Sequence, residues 1–305
     1  MKKLKNKDLI SVADLSRDEI LSLFCLSEKL KKKGKKLLKG KTLAMIFEKS
    51  STRTRVSFET GMYQLGGQAI FLSRDDMQLG RGETIRDTAM VLSRYLDGIM
   101  IRAYTHSSVL ELAQYSTIPV INGLTDQSHP CQALSDFFTI LEHKKNLKGL
   151  KLGYIGDGNN VANSLLLASS ILGSDICIAS PQNYSVNKEV ETKARDLAQK
   201  ENSRIILTQD PCEAAKDADV LYTDVWISMG QENEKEERLK IFRDYQINEK
   251  IMKLAKKDVM IMHCLPAHRG EEITAGAMDG PHSAIFDQAE NRLHVQKSIL
   301  CHLMG

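Results

Sequence analysis

Residues 47–61 have the sequence FEKSSTRTRVSFETG, and they are the most informative stretch of the chain. The apolar run 42–47 predicts a buried strand, and the amphipathic stretch 56–65 predicts a helix. Between them, the predicted loop 50–55 carries four hydroxyl side chains and two arginines. Because the first backbone N–H groups of a helix have no partner within it, this pattern predicts a phosphate site. The alternative is a capped helix with a solvated basic end, which the density of donors and the preceding strand make less favoured.

The composition indicates a folded chain with a sizeable core. The 305 residues are 42% hydrophobic and 27% charged, a length that fits two domains or one large one. The net charge of +3 is too small to indicate nucleic acid or a membrane surface as a partner. No run approaches the roughly 18 apolar residues of a membrane span. The N-terminal residues have neither signal-peptide nor transit-peptide character, so we expect a cytoplasmic protein with reduced cysteines.

Apolar runs alternate with helical patterns along the whole chain. Such alternation with short loops predicts parallel sheets covered by helices on both faces. The predicted strands are 42–47, 68–72, 98–101, 119–121, 151–155, 175–179, 204–207, 220–223 and 259–262. The main predicted helices are 56–65, 85–96, 109–115, 160–172, 188–201, 211–216 and 288–304, together with a helix whose first turn contains Pro130 and which runs through Leu141.

The strand–helix series begins again after the helix that Pro130 introduces. We therefore expect an α/β protein with two doubly wound parallel-sheet domains joined by helices. The predicted domains are 1–137, on which the last helix 288–305 packs, and 138–287. The polar segment 229–237 is a candidate mobile lid.

Polar clusters follow six of the predicted strands. Ligands of doubly wound sheets bind at the carboxyl ends of the strands, so these clusters predict one cleft between the two domains. They are the loop around Arg53, Arg102, the segment 129–132 (HPCQ), 157–160 (DGNN), 224–230 (DVWISMG) and 263–266 (HCLP).

Two other site types fit the residues less well. Segment 156–161, GDGNNV, resembles a dinucleotide-binding turn, but Val161 replaces the third glycine and Asp157 would repel a pyrophosphate. His263, Cys264 and His268 resemble metal ligands, but no second Cys or His pair lies at the spacing of a tetrahedral site. We therefore expect neither a metal nor a cofactor.

Three motifs together resemble the aspartate/ornithine carbamoyltransferase family. They are 51–55 (STRTR), 129–132 (HPCQ) and 263–266 (HCLP), and the resemblance extends in order over essentially the whole chain. The segments 224–230 and 263–266 are more similar to the ornithine-specific members than to the aspartate-specific ones. The resemblance implies carbamoyl phosphate and L-ornithine as substrates, citrulline and phosphate as products, and a homotrimer or a multiple of trimers.

The resemblance also assigns residues. The implied carbamoyl-phosphate contacts are Ser51, Thr52, Arg53, Thr54, Gln78, Arg102, His129, Gln132, Cys264, Leu265 and Arg292. The implied ornithine contacts are Asn160, Asp224, Ser228 and Met229, and the implied catalytic residues are Cys264, Arg102, His129 and Asp224.

The sequence leaves several points open. Asp224 and Cys264 are both candidates to accept or relay the proton of the attacking amine. The direction of the reaction, allostery and the oligomer size are not determined. A related amine such as putrescine or an N-acylated ornithine is an alternative substrate, and a non-catalytic subunit of the same fold is an alternative function.

Overall fold

The computed structural model describes Leu4 and residues 7–78, 82–227 and 232–305. Contacts divide the chain into two compact units. The first unit contains Met1–Ser135 and Asn291–Gly305, and the second contains Asp136–Glu290. The predicted division at residues 137 and 138 stays a prediction.

Nine strands occur in the described part of the chain. They are β1 (Thr42–Phe47), β2 (Gln68–Ser73), β3 (Gly98–Arg102), β4 (Val120–Leu124), β5 (Lys151–Ile155), β6 (Asp175–Ala179), β7 (Ile205–Thr208), β8 (Val220–Thr223) and β9 (Met260–His263).

Twelve α-helices accompany these strands in the same described ranges. They are α1 (Arg17–Lys32), α2 (Thr52–Gln64), α3 (Ile85–Tyr95), α4 (His106–Tyr115), α5 (Pro130–Lys144), α6 (Asn160–Leu172), α7 (Lys188–Glu201), α8 (Pro211–Ala215), α9 (Lys235–Ile241), α10 (Glu249–Met252), α11 (Ala275–Asp279) and α12 (Ile285–Met304).

The first unit is built on a four-stranded parallel sheet with the order β2-β1-β3-β4. The chain starts at β1, adds β2 on one side, and then adds β3 and β4 on the other side. The strand order therefore reverses between β1 and β3, and this is the switch point at which such sheets bind ligands. In the register of this pair, Phe47 lies opposite Arg102.

The second unit is built on a five-stranded parallel sheet with the order β7-β6-β5-β8-β9. Its switch point lies between β5 and β8. The last residues of β8 and β9 are paired, with Thr223 opposite His263. The central strands read as apolar runs because both of their faces are buried.

The predicted fold class is confirmed: both units are α/β with parallel sheets, and each predicted strand is present. Two helices of the first unit differ from the prediction: α1, over Arg17–Lys32, was not predicted, and α2 begins at Thr52 and not at Val56. Ser51 caps this helix, its hydroxyl accepting the N–H of Thr54 over 3.3 Å. Ser50 and Ser51 therefore precede the helix, while residues 52–55 form its first turn and not a loop.

Part of the segment predicted as a mobile lid is helical, and its mobility stays a prediction. A 3₁₀ turn covers Glu232–Glu234 and α9 follows it, while residues 229–231 of the predicted lid lie outside the described residues.

Among the described residues, no helix is both long and apolar enough to cross a membrane. All six cysteines lie in the described ranges, and no disulfide joins any two of them.

Candidate active site

The switch point of the first unit brings the start of α2 next to the end of β3. Thr54 is fully buried on the first turn of α2, and Arg102 is buried at the last position of β3. Arg292, on α12, donates from Nη2 to the hydroxyl of Thr54 over 3.0 Å, although 238 residues separate the two. The helix start and two guanidinium groups thus provide a site for an anion.

His129 lies in the same positive environment, immediately before α5. It is buried, and burial together with the charges of Arg292, Arg102 and Arg53 lowers its pKa well below the usual range. The imidazole is therefore neutral at physiological pH. A neutral imidazole retains one N–H donor and one acceptor, so it can donate a hydrogen bond without adding charge.

The other predicted carbamoyl-phosphate residues of the first unit differ in exposure. Gln132 is buried on the first turn of α5, and Ser51 is half-buried and engaged as a helix cap. Thr52 and Arg53 are exposed on α2. Gln78 is exposed directly before residues 79–81, which lie outside the described residues. Its predicted role stays a prediction.

Arg55 does not belong to the anion site, although the sequence placed it beside Arg53. Its guanidinium lies 3.8 Å from the centre of the Phe71 ring. Its Nε also lies 3.4 Å from a carboxylate oxygen of Glu59, one helical turn further along α2. The guanidinium therefore stacks on an aromatic face.

The second unit contains a thiol–carboxylate pair. The thiol of Cys264 donates to Oδ1 of Asp224 over 2.8 Å. The register of β8 and β9 accounts for this contact, because Asp224 and Cys264 each follow one member of the pair Thr223 and His263. Asp224 is buried, while Cys264 is partly exposed.

Asn159 organises the carboxylate of Asp224 from the other side of the switch point. Its side-chain oxygen caps α6, accepting the N–H groups of Val161 and Ala162. Its amide nitrogen donates to Oδ2 of Asp224 over 2.8 Å. With the backbone N–H of Val225 at 2.8 Å, the carboxylate accepts hydrogen bonds from three described groups.

The sequence assigned Asn160 to ornithine, which stays a prediction, and gave Asn159 no separate role. Asn160 is the first residue of α6 and is half-buried. The signal for Asn159 was its position directly before a helix, where asparagine is a preferred cap. Capping fixes the side-chain oxygen and leaves the amide nitrogen to donate elsewhere.

Asp157 has a structural partner. Its carboxylate pairs with the buried guanidinium of Arg238, whose Nε donates to the carbonyl of Trp226 over 2.6 Å. Gly158 packs so closely on the backbone of 184–186 that a Cβ atom would lie 2.3 Å from a carbonyl carbon. The glycine of this dinucleotide-like turn is therefore explained by packing.

The segment after β9 is held by Glu272, which the sequence did not single out. The N–H of Leu265 donates to Nδ1 of His263 over 2.9 Å. That bond leaves the ring proton on Nε2, which donates to the buried carboxylate of Glu272 over 3.0 Å. Glu272 also accepts the backbone N–H of His268 over 2.6 Å.

Side-chain atoms of Asp224, His263 and Cys264 lie within 4.8 Å of one another, as metal ligands would. Both ring nitrogens of His263 are already engaged in hydrogen bonds, which argues against its serving as a ligand. The expectation that no metal takes part stays a prediction. Ser228 and Met229, predicted to contact ornithine, lie outside the described residues.

Comparison with known proteins identifies the family. Residues 7–142 match the family model for the aspartate/ornithine carbamoyltransferase carbamoyl-P binding domain. Residues 148–303 match the model for the aspartate/ornithine carbamoyltransferase Asp/Orn binding domain.

Similar whole chains include the ornithine carbamoyltransferase of Bacillus subtilis, 58% identical over 97% of this chain and 93% of that one. The ornithine carbamoyltransferase of Halalkalibacterium halodurans is 55% identical over 99% of this chain and 96% of that one. The solved structure of ornithine carbamoyltransferase from Pyrococcus furiosus has a TM-score of 0.97 and 53% identity, with 100% and 99% of the two chains covered. The protein described here belongs to the aspartate/ornithine carbamoyltransferase family.

Proposed function

We propose that this protein transfers the carbamoyl group of carbamoyl phosphate to the δ-amine of L-ornithine, giving L-citrulline and phosphate. The observation that carries the choice of ornithine is the Asp224 carboxylate with its Cys264 partner. A carboxylate attracts the cationic side chain of ornithine and repels the side-chain carboxylate of aspartate. The family model for this half of the chain covers both aspartate-binding and ornithine-binding members. The negative charge of Asp224 is what favours ornithine over aspartate in this proposal.

We assign the carbamoyl-phosphate side to the first unit. The start of α2, with Ser51 and Thr52, and the guanidinium of Arg53 bind the phosphate, whose negative charge grows as it leaves. Thr54, Arg102 and the neutral His129 donate to the carbonyl oxygen, where charge develops during attack. Gln132, Gln78 and Arg292 complete the proposed contacts. The arginines supply the positive charge that the reaction needs.

We assign the ornithine side to the second unit. Asn160, Ser228 and Met229 bind the α-amino acid group, and Leu265 lies beside the reacting centre. The δ-ammonium first loses a proton, which desolvation favours because it penalises the charged form. The neutral nitrogen then forms a bond to the carbonyl carbon, the bond from that carbon to the phosphate oxygen breaks, and the nitrogen passes its second proton to the Asp224 carboxylate.

The pair of Asp224 and Cys264 aligns the amine in this proposal. The thiol already donates to the carboxylate, so the carboxylate is the stronger acceptor of the two for an amine proton. A covalent carbamoyl-cysteine step is not required, since phosphate is already a good leaving group.

The direct test supplies carbamoyl phosphate and one amine acceptor at a time to the purified protein. The acceptors are L-ornithine, putrescine, Nα-acetylornithine and L-aspartate, and the carbamoylated product is identified by mass spectrometry. We expect citrulline from ornithine, at a rate that chelators do not change, and no comparable product from the others. Absence of citrulline, or faster turnover of another amine, contradicts the proposal.

A matched pair of variants checks the residue on which the choice of ornithine rests. Asp224→Asn keeps the size of the side chain and removes its charge, and Asp210→Asn removes the charge of a helix-capping aspartate elsewhere in the second unit. We expect the first variant to lose citrulline formation and the second to retain it.

We further propose that the protein is a homotrimer, or a multiple of trimers, and is cytoplasmic. Exposed apolar side chains on α3 and α4 support self-association, since such groups in one region mark interaction surfaces. They are Met90, Val91, Tyr95 and Leu110. The absence of disulfides among its six cysteines fits a reducing compartment. Light scattering of the purified chain tests the trimer, and a monomer would contradict it.

A further inference from the structure

A continuous hydrogen-bond network lies within the second unit and does not take part in the chemistry proposed above. The hydroxyl of Tyr222 donates to Oδ2 of Asp136 over 3.0 Å. Nε2 of Gln288 donates to Oδ1 of the same carboxylate over 2.7 Å and lies 3.0 Å from the Tyr222 hydroxyl. Oε1 of Gln288 accepts the backbone N–H of His263 over 3.0 Å. We call these groups the Tyr222 network.

The network contacts the two strands that carry the thiol–carboxylate pair. Tyr222 lies on β8, two residues before Asp224, and His263 is the last residue of β9, directly before Cys264. The network therefore reaches both strands at their carboxyl ends. Its other two members, Asp136 and Gln288, come from α5 and α12.

The environment of Tyr222 keeps its hydroxyl protonated. Burial, followed by the charges of Asp136, Cys264 and Asp224, raises the pKa of Tyr222 well above its usual value. The phenol therefore stays protonated and acts as a donor to Asp136. All three side chains of the network are buried, so a displaced donor or acceptor has no water to replace its partner.

We propose that Asp136, Tyr222 and Gln288 are positioning residues that set the geometry between Cys264 and Asp224. This inference rests on the proposed function, because it assigns the three residues to the amino-acid side of that reaction. Gln288 accepts the backbone N–H of His263. It thereby fixes the backbone just before Cys264 and so the orientation of the Cys264 side chain. Tyr222, on β8, donates to the carboxylate of Asp136, to which Gln288 also donates. The ends of β8 and β9 are therefore both connected to Asp136.

The effect on catalysis follows from the distance that the network controls. The thiol and the carboxylate oxygen are 2.8 Å apart, and a displacement of about 1 Å at such a contact is enough to cost on the order of 100-fold in rate. A network that only stabilised the fold would lower the melting temperature without changing the properties of the Cys264 thiol.

The test uses four variants of the full chain. Tyr222→Phe removes the hydroxyl alone, Gln288→Glu places a second carboxylate beside Asp136, and Asp136→Asn replaces the shared acceptor. The double variant Asp136→Asn/Gln288→Glu exchanges the amide and the carboxylate. In the double variant the asparagine amide donates to the new glutamate, which still accepts the His263 N–H.

The control variant is Tyr245→Phe. Tyr245 is also a buried tyrosine of the second unit, and its hydroxyl donates to the carbonyl of Gln209 over 2.8 Å. It lies outside the Tyr222 network, so this change removes a hydrogen-bonded tyrosine hydroxyl while keeping every hydrogen bond described above for β8 and β9.

Three quantities are measured for each variant: the melting temperature, kcat with both KM values for citrulline formation, and the pH profile of Cys264 alkylation by iodoacetamide. Alkylation is followed by mass spectrometry of the peptide that contains Cys264. The exposed cysteines Cys25 and Cys212 are replaced by serine in every protein, so that they do not consume the reagent.

We expect Gln288→Glu to lower kcat by about 10-fold or more and Tyr222→Phe by about 3- to 10-fold, with the KM for carbamoyl phosphate within about 2-fold of the parent. The alkylation profile of Cys264 shifts in both. The exchange variant recovers kcat to within about 3-fold of the parent, because it restores the hydrogen bond between residues 136 and 288 and keeps those from Tyr222 to residue 136 and from His263 to residue 288. Only the bond from residue 288 to the Tyr222 hydroxyl is lost. Tyr245→Phe leaves kcat and the alkylation profile unchanged.

The proposal is overturned if Tyr222→Phe and Gln288→Glu match Tyr245→Phe in kcat and in alkylation while only their melting temperatures fall. It is also overturned if the exchange variant is no better than Gln288→Glu alone. If Gln288→Glu does not fold, Tyr222→Phe and the exchange variant decide by the same criteria. A parent protein that makes no citrulline contradicts the proposed function, whereas the alkylation profiles still report on the network.

Discussion

Arg292 and Thr54 are joined by a hydrogen bond from Nη2 to the hydroxyl oxygen, 3.0 Å long, across 238 residues of sequence. Both side chains are buried in the first unit. The contact places a guanidinium from the last helix at the first turn of α2, where the helix dipole is also positive. The anion site therefore depends on the C-terminal helix as much as on the segment that follows β1.

Replacing Arg292 by lysine keeps the charge and removes the planar set of donors. We expect the KM for carbamoyl phosphate to rise about 10- to 100-fold, the range for a lost hydrogen bond to a charged group. Steady-state kinetics and inhibition by inorganic phosphate measure the loss. An unchanged KM would remove Arg292 from the site.

Arg53 and Arg55 provide a matched comparison on one helix. We expect Arg53→Ala to weaken carbamoyl phosphate binding and to lower kcat, since it removes a charged partner of the phosphate. Arg55→Ala, which loses only the contacts with Phe71 and Glu59, should stay within about 2-fold of the parent. Equal effects of the two substitutions in steady-state kinetics would contradict the assignment of Arg53.

The Cys264 thiol belongs to the second unit, so its loss should act on turnover. We expect Cys264→Ser to lower kcat about 10-fold or more, because the shorter C–O bond withdraws the donor from Asp224. Binding of carbamoyl phosphate, measured by calorimetry in the absence of ornithine, should not change. A variant that fails to bind carbamoyl phosphate would show that Cys264 acts on the phosphate side.

Buried His129 makes stability depend on pH. Its folded-state pKa is lowered, so below the ordinary value of 6.5 the unfolded chain binds a proton that the folded protein does not. We expect the contribution of neutral His129 to the free energy of unfolding to be complete above pH 6.5 and to be lost as the pH falls below that value.

Urea unfolding between pH 5 and pH 8 measures that dependence. His129→Gln should reduce the slope of the free energy of unfolding against pH by the equivalent of up to one proton. His106 and His302 also have lowered pKa values and keep part of the acid sensitivity in the variant. An identical slope in the variant and the parent would show that His129 is not buried in its neutral form.

The ion pair of Asp157 and Arg238 should matter more for stability than an exposed pair. Arg238→Met leaves a buried carboxylate without its charge partner, which costs about 3–5 kcal/mol. Asp157→Asn/Arg238→Met should recover much of the loss, because no buried charge remains. Denaturant unfolding of the variants measures both values, and an exposed pair, Arg269 with Asp279, serves as the control.

The loss of stability in Arg238→Met should also be larger at pH 7 than at pH 5. Burial raises the pKa of Asp157 from 3.8 to about 6 despite the opposing charge of Arg238. A raised carboxyl pKa means that ionisation, as the pH rises through this range, lowers the stability of the folded state. Removing the arginine raises that pKa further, so the variant should be least stable where Asp157 must ionise.

The sequence predicted most of the elements, for a local reason. Apolar runs and amphipathic patterns report directly on burial, so all nine strands and most of the longer helices were expected near their observed positions. The exception is α1, whose 16 residues were not predicted as a helix. Short helices such as α10 and α11, with four and five residues, have too few turns to show a periodicity. The start of α2 was misplaced because hydroxyl residues favour both loops and helix caps.

For the candidate site too, the sequence indicated some features, and others were found only in the tertiary structure. By itself the sequence determined the two parallel α/β units, the polar residues that follow each strand, and the resemblance to a carbamoyltransferase family, because these depend on residue type and spacing along the chain. Only the tertiary structure decided which residues act together: Asn159 on Asp224, Arg292 on Thr54, Glu272 on His263, and Arg55 on an aromatic ring. These contacts depend on strand order, register and helix packing, and such relations between distant segments leave no local pattern in the sequence.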